Sequence, residues 1–187
     1  MNFINKEKNI AIFGATGHIA KNLIYYFSKN TEHKLFLFSR DKKKLQNFIS
    51  TISTDKNIVY DSYENIFFRQ FDVIINCIGI ITPSKISKYK NEILSLSKKY
   101  DDLIIEYLKK NNYCQYINFS SGVIYDDFSQ PVSDTSLPNL SVSDSSIDSY
   151  SLAKIRSEFN HRSFSSLNIL DVRLFNFFSR FMNINTH

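Results

Sequence analysis

Short apolar runs alternate along the chain with longer stretches whose apolar residues recur every three or four positions. The runs Asn9–Phe13 (NIAIF), Lys34–Phe38 (KLFLF), Phe71–Cys77 (FDVIINC), Gln115–Phe119 (QYINF) and Ile169–Phe175 predict strands, with a further short strand near 57–60. Between them, helical spacing predicts helices from about Gly17 to Ser28, from Asp41 as N-cap to Ile49, over Asn91–Lys110 and over Tyr150–Phe164. Phe71–Cys77 is apolar almost throughout, as a central strand covered on both faces should be. Residues 126–149 show neither period. They are rich in serine and carry Pro131 and Pro138, which predicts a loop or lid longer than an ordinary connection. The whole order is that of an α/β protein with a doubly wound parallel sheet and helices on both faces.

Length and composition narrow the class. At 187 residues the chain is one domain, or one with a small appendage, since domains usually run ~100–200 residues. Hydrophobic residues at 43% and charged residues at 22% exclude wholesale disorder. No apolar stretch approaches a membrane span, and the N-terminus lacks the apolar core and cleavage site of a signal peptide, so the expected location is the cytoplasm. Cys77 and Cys114 make no metal motif and read as two buried thiols in a reducing compartment. The net charge of +5 comes from lysines spread over helix faces, such as Lys42, Lys43 and Lys44, so no nucleic-acid partner is expected.

Glycine is scarce: Gly14, Gly17, Gly79 and Gly122 are the only four. Two of them fall in Gly14-Ala15-Thr16-Gly17-His18-Ile19-Ala20, between the first strand and the first helix. Gly14 permits a tight turn there, Gly17 lets backbone approach a pyrophosphate, and Ala20 lets the helix pack close to the sheet. The helix start then directs its N–H groups at the anion. Residues 1–187 are therefore expected to form a single Rossmann-like NAD(P)-binding domain with strand order 3-2-1-4-5-6. At the end of the second strand, Ser39 and Arg40 stand where NAD-preferring proteins carry an acidic residue. A permanently charged guanidinium fork suits a 2′-phosphate, which favours NADP over NAD.

Tyr150 and Lys154 lie at i and i+4, on one face of a predicted helix. A nearby ammonium lowers a phenol's pKa and lets it exchange a proton with a carbonyl or alcohol. The spacing alone is weak, because Tyr25 and Lys29 repeat it. Context separates the pairs: Tyr150 follows the long loop, and the fifth strand delivers Ser120 and Ser121 to the carboxyl edge of the sheet, where ligands bind in such folds.

With these residues in place, the chain resembles the extended short-chain dehydrogenase/reductase superfamily, of the NAD(P)-dependent epimerase/dehydratase type acting on nucleotide sugars. GATGHIA is similar to its glycine turn, FDVIINCIG to its fourth-strand segment, SSGVIYD to its serine–tyrosine motif, YSLAK to YxxxK, and RLFNFFSR to RxxNxxGP. The resemblance implies Ser121 as catalytic hydroxyl, Tyr150 as acid/base, and Lys154 as its partner and a ribose ligand. It implies cofactor contacts along Gly14, Thr16, Gly17, His18 and Ile19, at Ser39 and Arg40, and at Cys77, Ile78 and Gly79. Asn176, with Ser121, falls where the family contacts the nucleotide sugar. Asp126 replaces a glycine, and Ser179 and Arg180 replace the Gly-Pro, so the substrate end departs from the pattern. Family members continue for roughly a hundred residues past the sixth strand to build a substrate lobe. The chain is thus expected to be a fragment or to use a reduced site.

The resemblance and Arg40 together point to an NAD(P)H-dependent oxidoreductase. Its expected reaction is reduction of a keto group on a nucleotide-linked deoxysugar during surface-polysaccharide precursor synthesis. Gly122 and Val123 stand where dehydratases of the family carry an acidic pair, which argues against dehydration. A nucleotide-sugar epimerase with tightly bound NAD is the alternative. A non-catalytic dinucleotide sensor or truncated homologue is the second. The expected partner is the nucleotide sugar, with a homodimer allowed and no membrane.

Overall fold

The computed structural model describes residues 6–52, 57–79, 89–125, 129–133, 135–137 and 149–182. Six strands form one parallel sheet: β1 (Asn9–Phe13), β2 (Lys34–Phe38), β3 (Ile58–Asp61), β4 (Val73–Asn76), β5 (Gln115–Ser121) and β6 (Ile169–Leu174). Their order is β3-β2-β1-β4-β5-β6. The direction of winding reverses between β1 and β4, and the crevice opened there lies at the strands' carboxyl ends. Register runs Ile10 beside Leu35 and Val73, and Phe13 beside Phe38 and Asn76.

Among the described residues, four α-helices cover the sheet: α1 (His18–Asn30), α2 (Lys42–Ile52), α3 (Lys90–Lys110) and α4 (Ser149–Arg162). The two-residue alternation of β1 sends Ile10 and Ile12 to one face, against Ala20 and Ile24 of α1 and Leu45 and Phe48 of α2. Ala11 and Phe13 go to the other, against Tyr100, Ile104 and Leu108 of α3. The β3-to-β4 crossover uses a short 3-10 helix, Tyr63–Phe68. Asp41 caps α2, its Oδ1 accepting the Lys44 N–H at 2.9 Å.

Several boundaries differ from the sequence expectation. Helix α1 starts at His18 because Gly17, extended at φ −73° and ψ 160°, is its N-cap. Strand β5 runs two residues past Phe119, because β6 pairs with it as far as Ser121 beside Leu174. Strand β4 is shorter than its apolar run, ending at Asn76, whose side chain turns back to accept the Ile78 N–H at 3.0 Å. Cys114 is buried, but Cys77 is only half-buried. Most of the expected lid, 126–149, lies outside the described residues.

Candidate active site

The turn after β1 is shaped by what a side chain would strike. Gly14 sits at φ +70°, the left-handed region that disfavours a Cβ, and a Cβ there would lie 3.0 Å from the Cys77 carbonyl oxygen. A Cβ on Gly17 would lie 3.1 Å from the Gly14 carbonyl, which accepts the Gly17 N–H at 2.8 Å. Thr16 rides on this turn. The first turn of α1 receives no side-chain cap from Gly17, which leaves that helix end suited to an anion.

Beyond the turn a cleft of about 360 Å³ opens across the carboxyl ends of β4, β5 and β6. Of the expected site residues, His18, Ile19, Cys77, Ile78, Gly79, Ser121, Tyr150, Lys154 and Asn176 line it. Gly14, Thr16, Gly17, Ser39 and Arg40 do not; they lie along the β1 turn and past the end of β2. Arg40 is exposed. The Ser39 hydroxyl is committed locally: it donates to the Asp41 carbonyl at 3.3 Å and accepts the Asp41 N–H at 3.2 Å, starting the turn into α2.

Lys154 is only 7% exposed, and its Nζ donates to the Phe119 carbonyl at 2.6 Å. The same ammonium lies 5.6 Å from the centroid of the Tyr150 ring. Burial lowers its pKa to about 8, with surrounding acidic groups opposing the fall, so it stays mostly protonated at neutral pH. Burial of the thiol pushes Cys77 the other way, well above its ordinary range. Ser121 Oγ accepts the Val123 N–H at 3.3 Å. Next to it, Ser120 Oγ is a buried hydroxyl without a hydrogen-bond partner among the described residues, on a residue 3% exposed that also lines the cleft. An orphaned hydroxyl, a glycine cradle and an uncapped helix end together fit a polar dinucleotide.

Other contributors lay outside the sequence reading. After β6, Phe175, Phe177 and Phe178 form an aromatic lip to the cleft. Phe175 stacks on Tyr125 at 6.2 Å, and its ring occupies the space a Cβ on Gly122 would need, at 2.5 Å. The chain then crosses back over α1, where Ser179 Oγ meets His18 Nε2 at 2.6 Å and Asn22 Nδ2 at 2.7 Å. Beneath the cleft runs a buried polar chain. Asn76 Nδ2 donates to the Tyr116 hydroxyl at 3.0 Å, and that hydroxyl donates to Asp101 Oδ1 at 2.9 Å. His161 bridges Asp101 at 2.7 Å and Asp171 at 2.8 Å, and Asp171 also accepts from Asn118 Nδ2 at 2.8 Å. Burial opposes the charge on His161, but the two carboxylates outweigh it and raise its pKa to about 9.

Residues 10–187 match the NAD dependent epimerase/dehydratase family, and the chain belongs to that family. Comparison with curated proteins yields no match. Among solved structures, the chain is similar to a thiolation-reductase di-domain of an archaeal non-ribosomal peptide synthetase (17% identity, TM-score 0.73, covering 96% of this chain and 44% of that one). It is similar to UDP-glucuronic acid 4-epimerase from Bacillus cereus, in complex with UDP-glucuronic acid and NAD (15%, TM-score 0.70, 88% and 55%). It is also similar to dTDP-glucose 4,6-dehydratase from Bacillus anthracis, in complex with NAD (16%, TM-score 0.72, 95% and 57%). At these identities the likeness is one of fold. The chain spans about half the length of these solved proteins.

Proposed function

We propose that the protein binds NADPH along the β1 turn and the cleft, and takes part in reducing a keto group of a nucleotide-linked deoxysugar. The observation that carries this reading is the placement of Lys154. A buried ammonium, fixed on the Phe119 carbonyl and next to the Tyr150 ring, stands in a cleft shared with Ser121 and the end of β4. A nicotinamide cofactor, when bound, supplies the hydride that reduces the carbonyl carbon. Tyr150 gives its phenolic proton to the carbonyl oxygen, completing the alcohol. Ser121 Oγ donates a hydrogen bond to the same oxygen, and the Lys154 charge favours the phenolate left behind. Gly14, Thr16, Gly17, His18 and Ile19 would hold the pyrophosphate, with Cys77, Ile78, Gly79 and Lys154 on the nicotinamide ribose. Asn176 would contact the sugar.

Nucleotide titrations test this reading. NADPH should bind more tightly than NADH, and Arg40→Ala should weaken NADPH by about 1.5–3 kcal/mol, the scale of a charged hydrogen bond, while sparing NADH. Tyr150→Phe should retain nucleotide affinity yet lose about 10²–10⁴ in turnover of a nucleotide-sugar ketone. Equal nucleotide losses on Arg40→Ala sink the NADP preference, and undiminished turnover with Phe at 150 sinks the mechanism. One observation favours a second reading, an epimerase holding NAD. The Ser39 hydroxyl is already engaged with Asp41, which leaves Arg40 as the sole candidate ligand from this pair for a 2′-phosphate.

A further inference from the structure

Tyr63, the first residue of the 3-10 helix after β3, reaches back to the point where β1 and β2 both end. Its hydroxyl accepts the Gly14 N–H at 3.3 Å and donates to the Phe38 carbonyl at 3.1 Å. The ring is held by its neighbours: edge-on to Phe13 at 5.1 Å, and at 4.6 Å from Tyr100. Burial raises its pKa, so the group is a neutral phenol able to donate and accept at once.

Glycine has the widest backbone freedom of any residue, and Gly14 occupies an unusual region of it, so its path needs restraint from outside. Two backbone bonds supply part: Gly17 N–H to the Gly14 carbonyl, and Ala15 N–H to the Phe38 carbonyl at 3.0 Å. Tyr63 adds a side-chain restraint that ties the Gly14 N–H to the end of β2. The next two residues past Phe38 are Ser39 and Arg40. From this geometry we infer that Tyr63 is a positioning residue for dinucleotide binding, fixing the distance between the glycine turn and the Ser39–Arg40 segment so that the turn meets the pyrophosphate while the segment meets the adenosine 2′-phosphate. This rests on the cofactor reading above. Restraint before binding lowers the ordering cost of binding, so its loss should appear as lost affinity.

Tyr107 provides a control within the same protein. Its hydroxyl makes the same double backbone bond far from the turn, accepting from the Phe71 N–H at 2.9 Å and donating to the Arg69 carbonyl at 3.2 Å. The test compares the wild type, Tyr63→Phe, Tyr107→Phe and Arg40→Ala by calorimetric titration with NADPH, 2′,5′-ADP and NMN, and by thermal melting without ligand. Tyr63→His, which keeps a ring with a polar edge, serves as the second variant should Tyr63→Phe not fold. Tyr63→Phe should weaken NADPH and 2′,5′-ADP roughly tenfold, as loss of two neutral hydrogen bonds implies, and leave NMN unchanged. Tyr107→Phe should lower the melting temperature and leave all three Kd values alone. The effects of Tyr63→Phe and Arg40→Ala on 2′,5′-ADP should combine to less than their sum, because one residue holds the segment that carries the other. Wild-type or tighter binding of 2′,5′-ADP by Tyr63→Phe overturns the inference, as does an equal loss for 2′,5′-ADP and NMN. A wild-type protein that binds none of the three overturns the cofactor reading, and this inference with it.

Discussion

The guanidinium of Arg173 takes the carboxylate of Glu158 in a two-point grip, Nε to Oε1 at 3.1 Å and Nη2 to Oε2 at 2.7 Å. Its remaining nitrogen donates to the Tyr125 hydroxyl at 2.5 Å and to the Ser136 carbonyl at 3.3 Å. One side chain of β6 thereby ties α4 to the residues that follow β5, and α4 is the helix that carries Tyr150 and Lys154.

Glu158 is 2% exposed, so removing Arg173 leaves a buried carboxylate with the largely exposed Arg162, at 3.6 Å, as its remaining ion-pair partner among the described residues. Arg173→Met should cost about 3–5 kcal/mol in urea unfolding, and adding Glu158→Leu should recover much of it. A single-variant loss below about 1 kcal/mol, the scale of an exposed pair, would mean that water reaches and screens the pair.

His161 makes stability depend on pH. Its folded pKa of about 9 lies above the unfolded 6.5, so the folded state holds the proton more tightly. Its contribution, about 3 kcal/mol, is fully present below pH 6.5 and is lost as pH rises through 9. His161→Gln should flatten the decline in unfolding free energy between pH 6.5 and 9, and should be less stable than the wild type at pH 6.

Lys154 has the opposite sign. Its folded pKa of about 8 lies below the unfolded 10.5, so between these values the unfolded chain keeps a proton that the folded one sheds, and stability rises with pH. Lys154→Met should therefore exceed the wild type in stability at pH 7 by about 1–3 kcal/mol. That advantage should shrink as pH climbs from 8 towards 10.5. An advantage independent of pH would show that the ammonium is not desolvated.

Gly122 and Phe175 should behave as a coupled pair. A methyl on Gly122 would meet the Phe175 ring at 2.5 Å, so Gly122→Ala must displace the ring, at about 1–3 kcal/mol. Phe175→Ala alone should cost little, since that side chain is 56% exposed. In the double variant the penalty of Gly122→Ala should largely vanish. Purely additive free energies would show that backbone strain, rather than the ring, is responsible.

The strands were legible because they are apolar runs bounded by polar turns, and the first glycine turn because so few glycines are spent elsewhere. Helix α4 was legible mainly through its resemblance to a motif. Its buried residues are Ala153, Lys154, Ser157, Glu158 and His161, mostly polar, so apolar periodicity could not have shown which face is inside. Asp101 and Asp171 were invisible for the same reason: each is an ordinary surface type until His161, from another element, makes burial tolerable. Tyr63 carried no local signal at all, because its partners Gly14 and Phe38 lie 49 and 25 positions away. The position of Ser39 at the end of β2 marks it for a ligand, but nothing local in the sequence shows that its hydroxyl also serves the turn two residues on.

The chain of side chains under the cleft also bears on how the protein reaches this state. His161 meets Asp101 across 60 positions of sequence, and Asn118 meets Asp171 across 53. These bonds cannot close until α3, α4, β5 and β6 are all docked, and such distant contacts form late because loop closure must precede them. Their loss should therefore leave the refolding limb of a chevron nearly unchanged and steepen escape from the native state, since interactions absent at the barrier act on the unfolding rate. Read this way, the buried histidine is a lock turned after assembly: it decides how long the folded cofactor domain lasts more than how fast it forms.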